Sequence, residues 1–405
     1  MMNASSLQAV KADATLMVSS NDRPAQRLAQ KYRFNDPDMD LFFMAALSWG
    51  PSGGLDIGQA YYIATQIADG DADSWIKSFG DYADTLNAQA DAWAQRGWHR
   101  EAGEVRLKAF ASYRSAWQFA APGGAQFQAL YAKHKLAFAT AMQELGMPST
   151  FFAAPYNNKY LPGVLLRNAA KDAPVVLVIG GADTCFEDLF LTVGRNLFDR
   201  GYSVALVDLP GQGNTACDGL YWEAQAEQPV AAVVEVLKSQ FDARPGRMAL
   251  MGLSLGGYFV ARAAGHLDCF ATVIASTPFP NPAQMFALSV QSAMKEKTES
   301  TAATLRSRQT SVWKAGARTA QEFVERTAGM IADPALVTVP FLSILGGGDS
   351  GVFAMQAMAW HHDIQSQQKR FVLLDAASGA DGHVQVNNRL RLAQESCGWM
   401  SEIFS

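Results

Sequence analysis

The chain has 405 residues, 49% of them hydrophobic and 18% charged, which is globular material with length enough for a large core and a second, smaller domain. Its formal net charge of -5 and pI near 5.7, with no basic block anywhere, exclude the electrostatic footprint of a nucleic-acid or anionic-membrane binder and leave a small molecule as the expected partner. The opening stretch MMNASSLQAVKADATLMVSS lacks the apolar core of a signal peptide, and no apolar run approaches a membrane span, so a cytoplasmic protein is expected. Cys185, Cys217, Cys269 and Cys397 are scattered without a Cys-x-x-Cys pair, which predicts reduced, mostly buried thiols and no zinc knuckle.

From about residue 36 to 145, apolar residues return every three or four positions with almost no β-branched runs. GQAYYIATQIADG, DSWIKSFGDYADTLNAQADAWAQRG, AGEVRLKAFASYRSAWQFA and AQFQALYAKHKLAFATAMQEL are the predicted helices, with Trp75, Phe79, Tyr82 and Leu86 on one face. Pro122-Gly123-Gly124 ends the third of these and Pro148 follows the fourth, which sets a domain boundary near 150. Beyond it, GVLLR, PVVLVIGG, YSVALVDLPGQG, RMALMG, ATVIAS, FLSILGGGD and RFVLLD alternate with helical stretches. That alternation predicts a mainly parallel sheet with helices on both faces and chemistry at the carboxyl ends of its strands. The expected division is an all-α domain over 1–150 and an α/β domain over 151–405, with a helical segment over about 277–338 helping to cover the site.

Gly252-Leu253-Ser254-Leu255-Gly256-Gly257 stands where RMALMG ends and a small-residue helix begins. A serine between glycines on such a turn exposes its hydroxyl above the sheet, and the helix start aims the Leu255 N–H at an oxygen that becomes negative on the substrate. A serine needs a base and an orienting acid, which in this chain order follow as acid, then histidine. FLSILGGGDSGV ends a strand at Asp349, and FVLLDAASGADGHVQ reaches His383 after another. Asp375 and Asp381 compete for the acid position, but Asp349 directly follows a strand and a triple glycine and is preferred. His99, His134, His266, His361 and His362 read as surface or packing residues, and no pair of them has metal spacing. The turn Gly180-Gly181-Ala182-Asp183 is expected to supply the second oxyanion donor from the Ala182 N–H, with Gly181 facing substrate and Asp183 either part of the helix start or a second carboxylate facing the substrate. Thr184 with Glu187 three residues on reads as a capping box, and DLPGQGNT as a structural turn on the rim that faces ligand.

With DGDADSWIKSFGDYAD, ASYRSAWQFA, GGADT, DLPGQG, GLSLGGY, GGGDS and GADGHVQ assembled, the chain resembles the α/β-hydrolase superfamily. Within it, the resemblance is to a subgroup with a helical N-terminal cap domain: dihydroxypseudooxynicotine hydrolase, fungal polyketide-shortening hydrolases and esterases like the fermentation–respiration switch protein. The resemblance implies Ser254 as nucleophile, Asp349 as orienting acid and His383 as base, acting beside a carbonyl without metal or organic cofactor. Asp183 stands where the first of these relatives carries a glutamate, and Val384 where many carry cysteine.

The leading expectation is a serine hydrolase that cleaves a carbon–carbon bond in a 1,3-dicarbonyl, polyketide-like or aromatic ketone substrate, because the departing enolate is then easily protonated. An esterase, amidase or acyltransferase with the same triad is the alternative, and a ligand-binding protein that has lost the chemistry is a remote third. The expected partner is a carbonyl small molecule, with a homodimer admitted.

Overall fold

The computed structural model describes residues 26–170, 172–296 and 299–405; the stretch without a signal-peptide core lies outside them. Asp36 opens the first helix, α1 (Pro37–Ser48), by accepting the N–H groups of Asp38 and Met39, with Pro37 at the first position, where no N–H is needed. The buried Asp40 carboxylate accepts the backbone N–H groups of Tyr32, Arg33 and Phe34 at 2.8, 2.6 and 2.8 Å, folding the preceding segment over the helix.

Helices α2 (Ile57–Ala64), α3 (Ala72–Gln95), α4 (His99–Trp117) and α5 (Ala125–Glu144) follow where the spacing predicts them. Trp75, Phe79 and Leu86 are buried as expected, and Tyr82 is half-buried. The α3–α4 contact is close enough for Trp75 Nε1 to reach the Ser115 carbonyl and Ser112 Oγ the Phe79 carbonyl, both at 2.7 Å. Arg106 of α4 ties α5 and α3 to it, bidentate to Glu144 at 2.9 and 3.0 Å and reaching Asp91 at 2.9 Å.

Strands β1 (Ser149–Tyr156) and β2 (Lys159–Leu166) form a hairpin about Asn157-Asn158, whose φ angles of 49° and 59° match the twist of the pair. The sequence reading misses β1. Its burial alternates imperfectly and it carries Pro155, which an edge strand tolerates. Next come β3 (Val175–Ile179), α6 (Phe186–Leu189), a π-helical turn over Phe190–Gly194, α7 (Arg195–Phe198), β4 (Ser203–Val207), α8 (Glu227–Phe241), β5 (Met248–Leu253) and α9 (Gly256–His266). The chain continues through β6 (Thr272–Ser276), α10 (Pro282–Lys295), α11 (Ala302–Lys314), α12 (Ala320–Thr327), β7 (Phe341–Gly346), α13 (Gly351–Asp363), β8 (Lys369–Leu374) and α14 (Arg389–Phe404). The eight strands lie in the order β1-β2-β4-β3-β5-β6-β7-β8, antiparallel at β1 and β2 and parallel from β4 through β8.

The two-residue period divides each central strand between two cores. Val176 and Val178 pack with Phe43, Phe79, Phe110 and Phe138 of the N-terminal helices, whereas Val175, Leu177 and Ile179 pack with Val230, Val233 and Leu237 of α8 and Tyr258 of α9. The N-terminal helices therefore share a core with one face of the sheet. The helices between β6 and β7 close against them: the Thr301 hydroxyl donates to Asp36, the Ala303 N–H reaches the Gly70 carbonyl at 3.1 Å, and Trp313 meets Phe127 edge-on at 5.6 Å. All four thiols are free, but only Cys185 is buried; Cys217 is exposed and the other two are intermediate, correcting the expectation of burial. No described helix is long and apolar enough to cross a membrane.

Candidate active site

Ser254 occupies the step between β5 and α9 with a φ of 57°, a left-handed conformation uncommon for a residue with a side chain. Its neighbours are glycines because backbone presses on all of them. A Cβ on Gly252 would lie 2.2 Å from the Gly256 carbonyl oxygen, one on Gly256 2.5 Å from that of Ile179, and one on Gly257 2.2 Å from that of Thr277. The turn is pinned by the Ser254 N–H, which donates to the Ser276 carbonyl on β6 at 2.7 Å.

Loops after β7 and β8 bring Asp349 and His383 to this turn. His383 Nε2 is 2.8 Å from Ser254 Oγ, and His383 Nδ1 is 2.5 Å from Asp349 Oδ1. An ionised carboxylate only accepts, so Nδ1 carries the ring hydrogen and Nε2 is left to accept from the serine hydroxyl. The other Asp349 oxygen accepts from Thr277 Oγ1 at 2.7 Å, and the Asp349 side chain is 1% exposed. Phe353 covers the imidazole at a ring separation of 4.8 Å. The competing acids are occupied elsewhere: Asp381 accepts from Asn387 Nδ2 at 2.8 Å, and Asp375 caps the turn over Ala376–Ser378.

The glycine turn after β3 lies against the serine, since a Cβ on Gly181 would come within 3.3 Å of Ser254 Oγ. Buried Gln212, from the DLPGQG turn, holds it from behind, with Nε2 donating to the Gly180 and Gly181 carbonyls at 2.6 and 3.0 Å. In a trans peptide the N–H points opposite to the carbonyl, so anchoring the Gly181 carbonyl turns the Ala182 N–H away from Gln212. Lys314 Nζ at the end of α11 donates to the Ala182 carbonyl at 2.6 Å, and burial lowers its pKa. Among the described residues, neither the Ala182 nor the Leu255 N–H has a protein acceptor. The expected capping box sits one residue later. Cys185 is the N-cap, its N–H donating to Asp188 at 3.3 Å, while Thr184 Oγ1 turns back to the Gly181 carbonyl at 3.2 Å.

Ser254, His383, Gly181, Ala182 and Asp183 line one cavity of about 710 Å³, its open mouth included, together with Phe42, Trp49, Arg27, Arg114 and Arg389. Asp183 faces it but is not alone: Arg27 Nη1 lies 3.2 Å from its Oδ2 while Arg27 Nη2 holds Asp38 at 2.6 Å. The backbone of Arg27 also accepts the His383 N–H at 2.8 Å, so the segment before α1 crosses the histidine loop. Arg114 bridges to the fully buried Asp188 at 2.6 Å and donates to the Asp183 carbonyl. Sequence spacing carried no sign of these arginines.

His134, expected at the surface or in packing, is wholly buried behind the turn, with Nε2 3.6 Å from Cys185 Sγ and 3.5 Å from Glu187 Oε2. These three ligand-type atoms lie within 4.8 Å of one another and form the one group of that kind among the described residues. Glu187 is thus an interior partner of His134 instead of a cap.

The profile of the prolyl oligopeptidase family matches residues 192–405. Two curated fungal relatives are 20-hydroxy-prefusarin hydrolase FUS2 of Gibberella moniliformis and hydrolyase poxO of Penicillium oxalicum. The first is 30% identical over 237 residues, 55% of this chain and 56% of its own length. The second is 30% identical over 245 residues, 57% of this chain and 58% of its own length. The chain therefore spans a little over half the length of the curated relatives it matches. The crystal structure of the 2,6-dihydroxy-pseudo-oxynicotine hydrolase superposes with a TM-score of 0.70 at 17% identity, over 88% of this chain and 95% of that one. AbyA5 superposes at 0.61 and 14% identity, over 89% and 97%. These two matches carry the fold, and they extend over the helical N-terminal part as well as the sheet. With the family match running from the π turn before α7 to the last residue, more than half of the chain, the protein belongs to the prolyl oligopeptidase family and has the α/β-hydrolase fold.

Proposed function

We propose that the chain is a serine hydrolase acting beside a carbonyl, and that its substrate is a 1,3-dicarbonyl or polyketide-like ketone cleaved at a carbon–carbon bond. The observation that carries the hydrolase reading is the 2.8 Å approach of Ser254 Oγ to His383 Nε2, with Asp349 behind the ring and two unengaged N–H groups beside the serine. Ser254 Oγ attacks the carbonyl carbon as its proton passes to His383 Nε2, and the resulting oxyanion is held by the N–H groups of Ala182 and Leu255. Collapse breaks the bond to the adjacent carbon, whose electron pair leaves as an enolate and takes the proton from His383. Water, deprotonated by the same imidazole, then attacks the acyl-enzyme to release a carboxylic acid and restore the serine.

Support for the carbon–carbon reading comes from Asp183, a carboxylate on the cavity wall one residue beyond the oxyanion turn. Oδ2 is shared with Arg27, which leaves acceptor positions to hold an enol or phenol O–H of the substrate. The name of FUS2, a hydrolase, agrees with hydrolysis in general. A second reading, ester or amide cleavage, is favoured by the family match itself. Comparing wild type with Asp183→Asn on a 1,3-diketone and on a small aryl ester separates the two. Turnover of the diketone falls by roughly 10²-fold, within the range of positioned acid–base groups, and the ester falls much less. Equal losses would mean a damaged oxyanion turn, and no loss on either would remove the carbon–carbon reading.

A further inference from the structure

Arg106, Arg114 and Arg389 are the buried arginines among the described residues, 5%, 3% and 8% exposed. Arg106 is bidentate to Glu144 and Arg114 is paired with Asp188. Arg389 has no carboxylate in contact. Its Nη1 donates to the Val384 carbonyl at 2.7 Å and its Nε reaches Ser48 Oγ at 3.4 Å, which leaves Nη2 and its two N–H groups with no acceptor among the described residues. The side chain lines the cavity that holds Ser254 and His383.

Two physical costs attach to that placement. Arg389 is the first residue of α14, a 16-residue helix, so its positive charge sits at the end of the helix dipole that repels cations. Burial, opposed only by Asp188, pulls its pKa down to about 10, and Asp188 is already held by Arg114. A buried cation left without its counter-charge is strongly unfavourable unless something supplies one. Holding the Val384 carbonyl would need a single N–H, and a neutral donor would do it without either cost.

We infer that Arg389 is the anion subsite of the cavity, and that the substrate carries a planar, two-oxygen anion there, a carboxylate or the ionised enol of a 1,3-dicarbonyl. The inference rests on the reading that the cavity beside Ser254 is the substrate site, and it deepens that reading by giving the substrate a negative charge. The guanidinium fork fits both anions, as two parallel N–H groups meet two oxygens on one side of a plane.

Two pairs of probes test it and distinguish the sources. The first is p-nitrophenyl hydrogen glutarate against its neutral methyl ester, read as kcat/KM. The second is 2-acetyl-1,3-cyclohexanedione, an ionised enol at neutral pH whose acetyl and ring oxygens lie on one side, against its 2-methyl derivative, which cannot form the conjugated enol, read as binding by calorimetry. Wild type should prefer the anionic member of one pair by about 10-fold or more, the range of a charged hydrogen bond. A response in the ester pair assigns a carboxylate, and one in the dione pair assigns an enol. In Arg389→Gln that preference should collapse, and in Arg389→Lys it should survive in part. A wild type that discriminates neither pair overturns the inference whether or not the variants fold, and so does an Arg389→Gln protein that keeps the full preference. Labelling of Ser254 by a fluorophosphonate reports separately on the triad. If labelling fails while the dione pair is still discriminated, the catalytic reading is lost and the anion subsite stands.

Discussion

The corner of the cavity that holds Ser254 and His383 and the rest of its wall are built in different ways. Ser254, Asp349 and His383 follow the ends of β5, β7 and β8, fixed by main-chain contacts so close that a Cβ on Gly252 or Gly257 would strike a carbonyl at 2.2 Å. Arg27, Asp183, Arg114 and Arg389 come from four separate segments: Arg27 pairs with the Asp183 carboxylate, Arg114 donates to the Asp183 carbonyl, and Arg389 reaches the Val384 carbonyl and Ser48. Position at the corner is set by the sheet, and a substitution there costs chemistry. On the wall it is set by the hydrogen bonds and ion pairs of long side chains, so one substitution re-sorts partners and changes which ligand is held while the corner stays intact.

The widest expected effect breaks the corner. Ser254→Ala should lower kcat by roughly 10⁴-fold or more while melting temperature and ligand binding stay near wild type, since the turn accepts a smaller side chain. Steady-state kinetics beside a binding titration check it, and unchanged turnover would refute the assignment of the nucleophile. Gln212→Leu sharpens the comparison from behind. It removes the donor that holds the Gly180 and Gly181 carbonyls, so kcat should fall by roughly 10²-fold, comparable to losing an oxyanion donor, with KM changed little. A rise in KM alone would move Gln212 to the recognition side. The mildest test is Thr277→Val, which takes one hydrogen bond from Asp349 without touching His383 and should slow kcat by about 10-fold or less. A loss as deep as that of Ser254→Ala would show the threonine to be indispensable to the acid.

The same contrast explains what the sequence revealed. Serine, acid and histidine were readable because each follows a recognisable apolar strand and the chain order limits the choices, and the structure brings Ser254, Asp349 and His383 within hydrogen-bond reach. The helix spacings were readable for the same local reason. Strand β1 was not, because an edge strand with Pro155 needs neither a full apolar face nor every N–H. The cap of α6 was displaced by one residue because Thr184 bonds backward to Gly181, leaving Cys185 and Asp188 to make the box. Arg27 and Arg389 left no local trace. Besides nearby Asp38 and Val384 they reach Asp183 and Ser48, far away in sequence, and a long charged side chain selects such a partner only once the tertiary structure has formed.

Lys314 makes the segment between β6 and β7 a poor unit of exchange between relatives. Its ammonium ends on the Ala182 carbonyl, so a grafted insert of the same length and helicity would still strip a donor from a half-buried oxygen on the cavity that holds Ser254 unless it brought a cation to that point. Losing this charge-assisted hydrogen bond would cost at most about 1.5–3 kcal/mol. Attempts to alter substrate range by swapping this insert would therefore disturb the rate of the reaction as well, and Lys314 is the residue to carry across in any chimera.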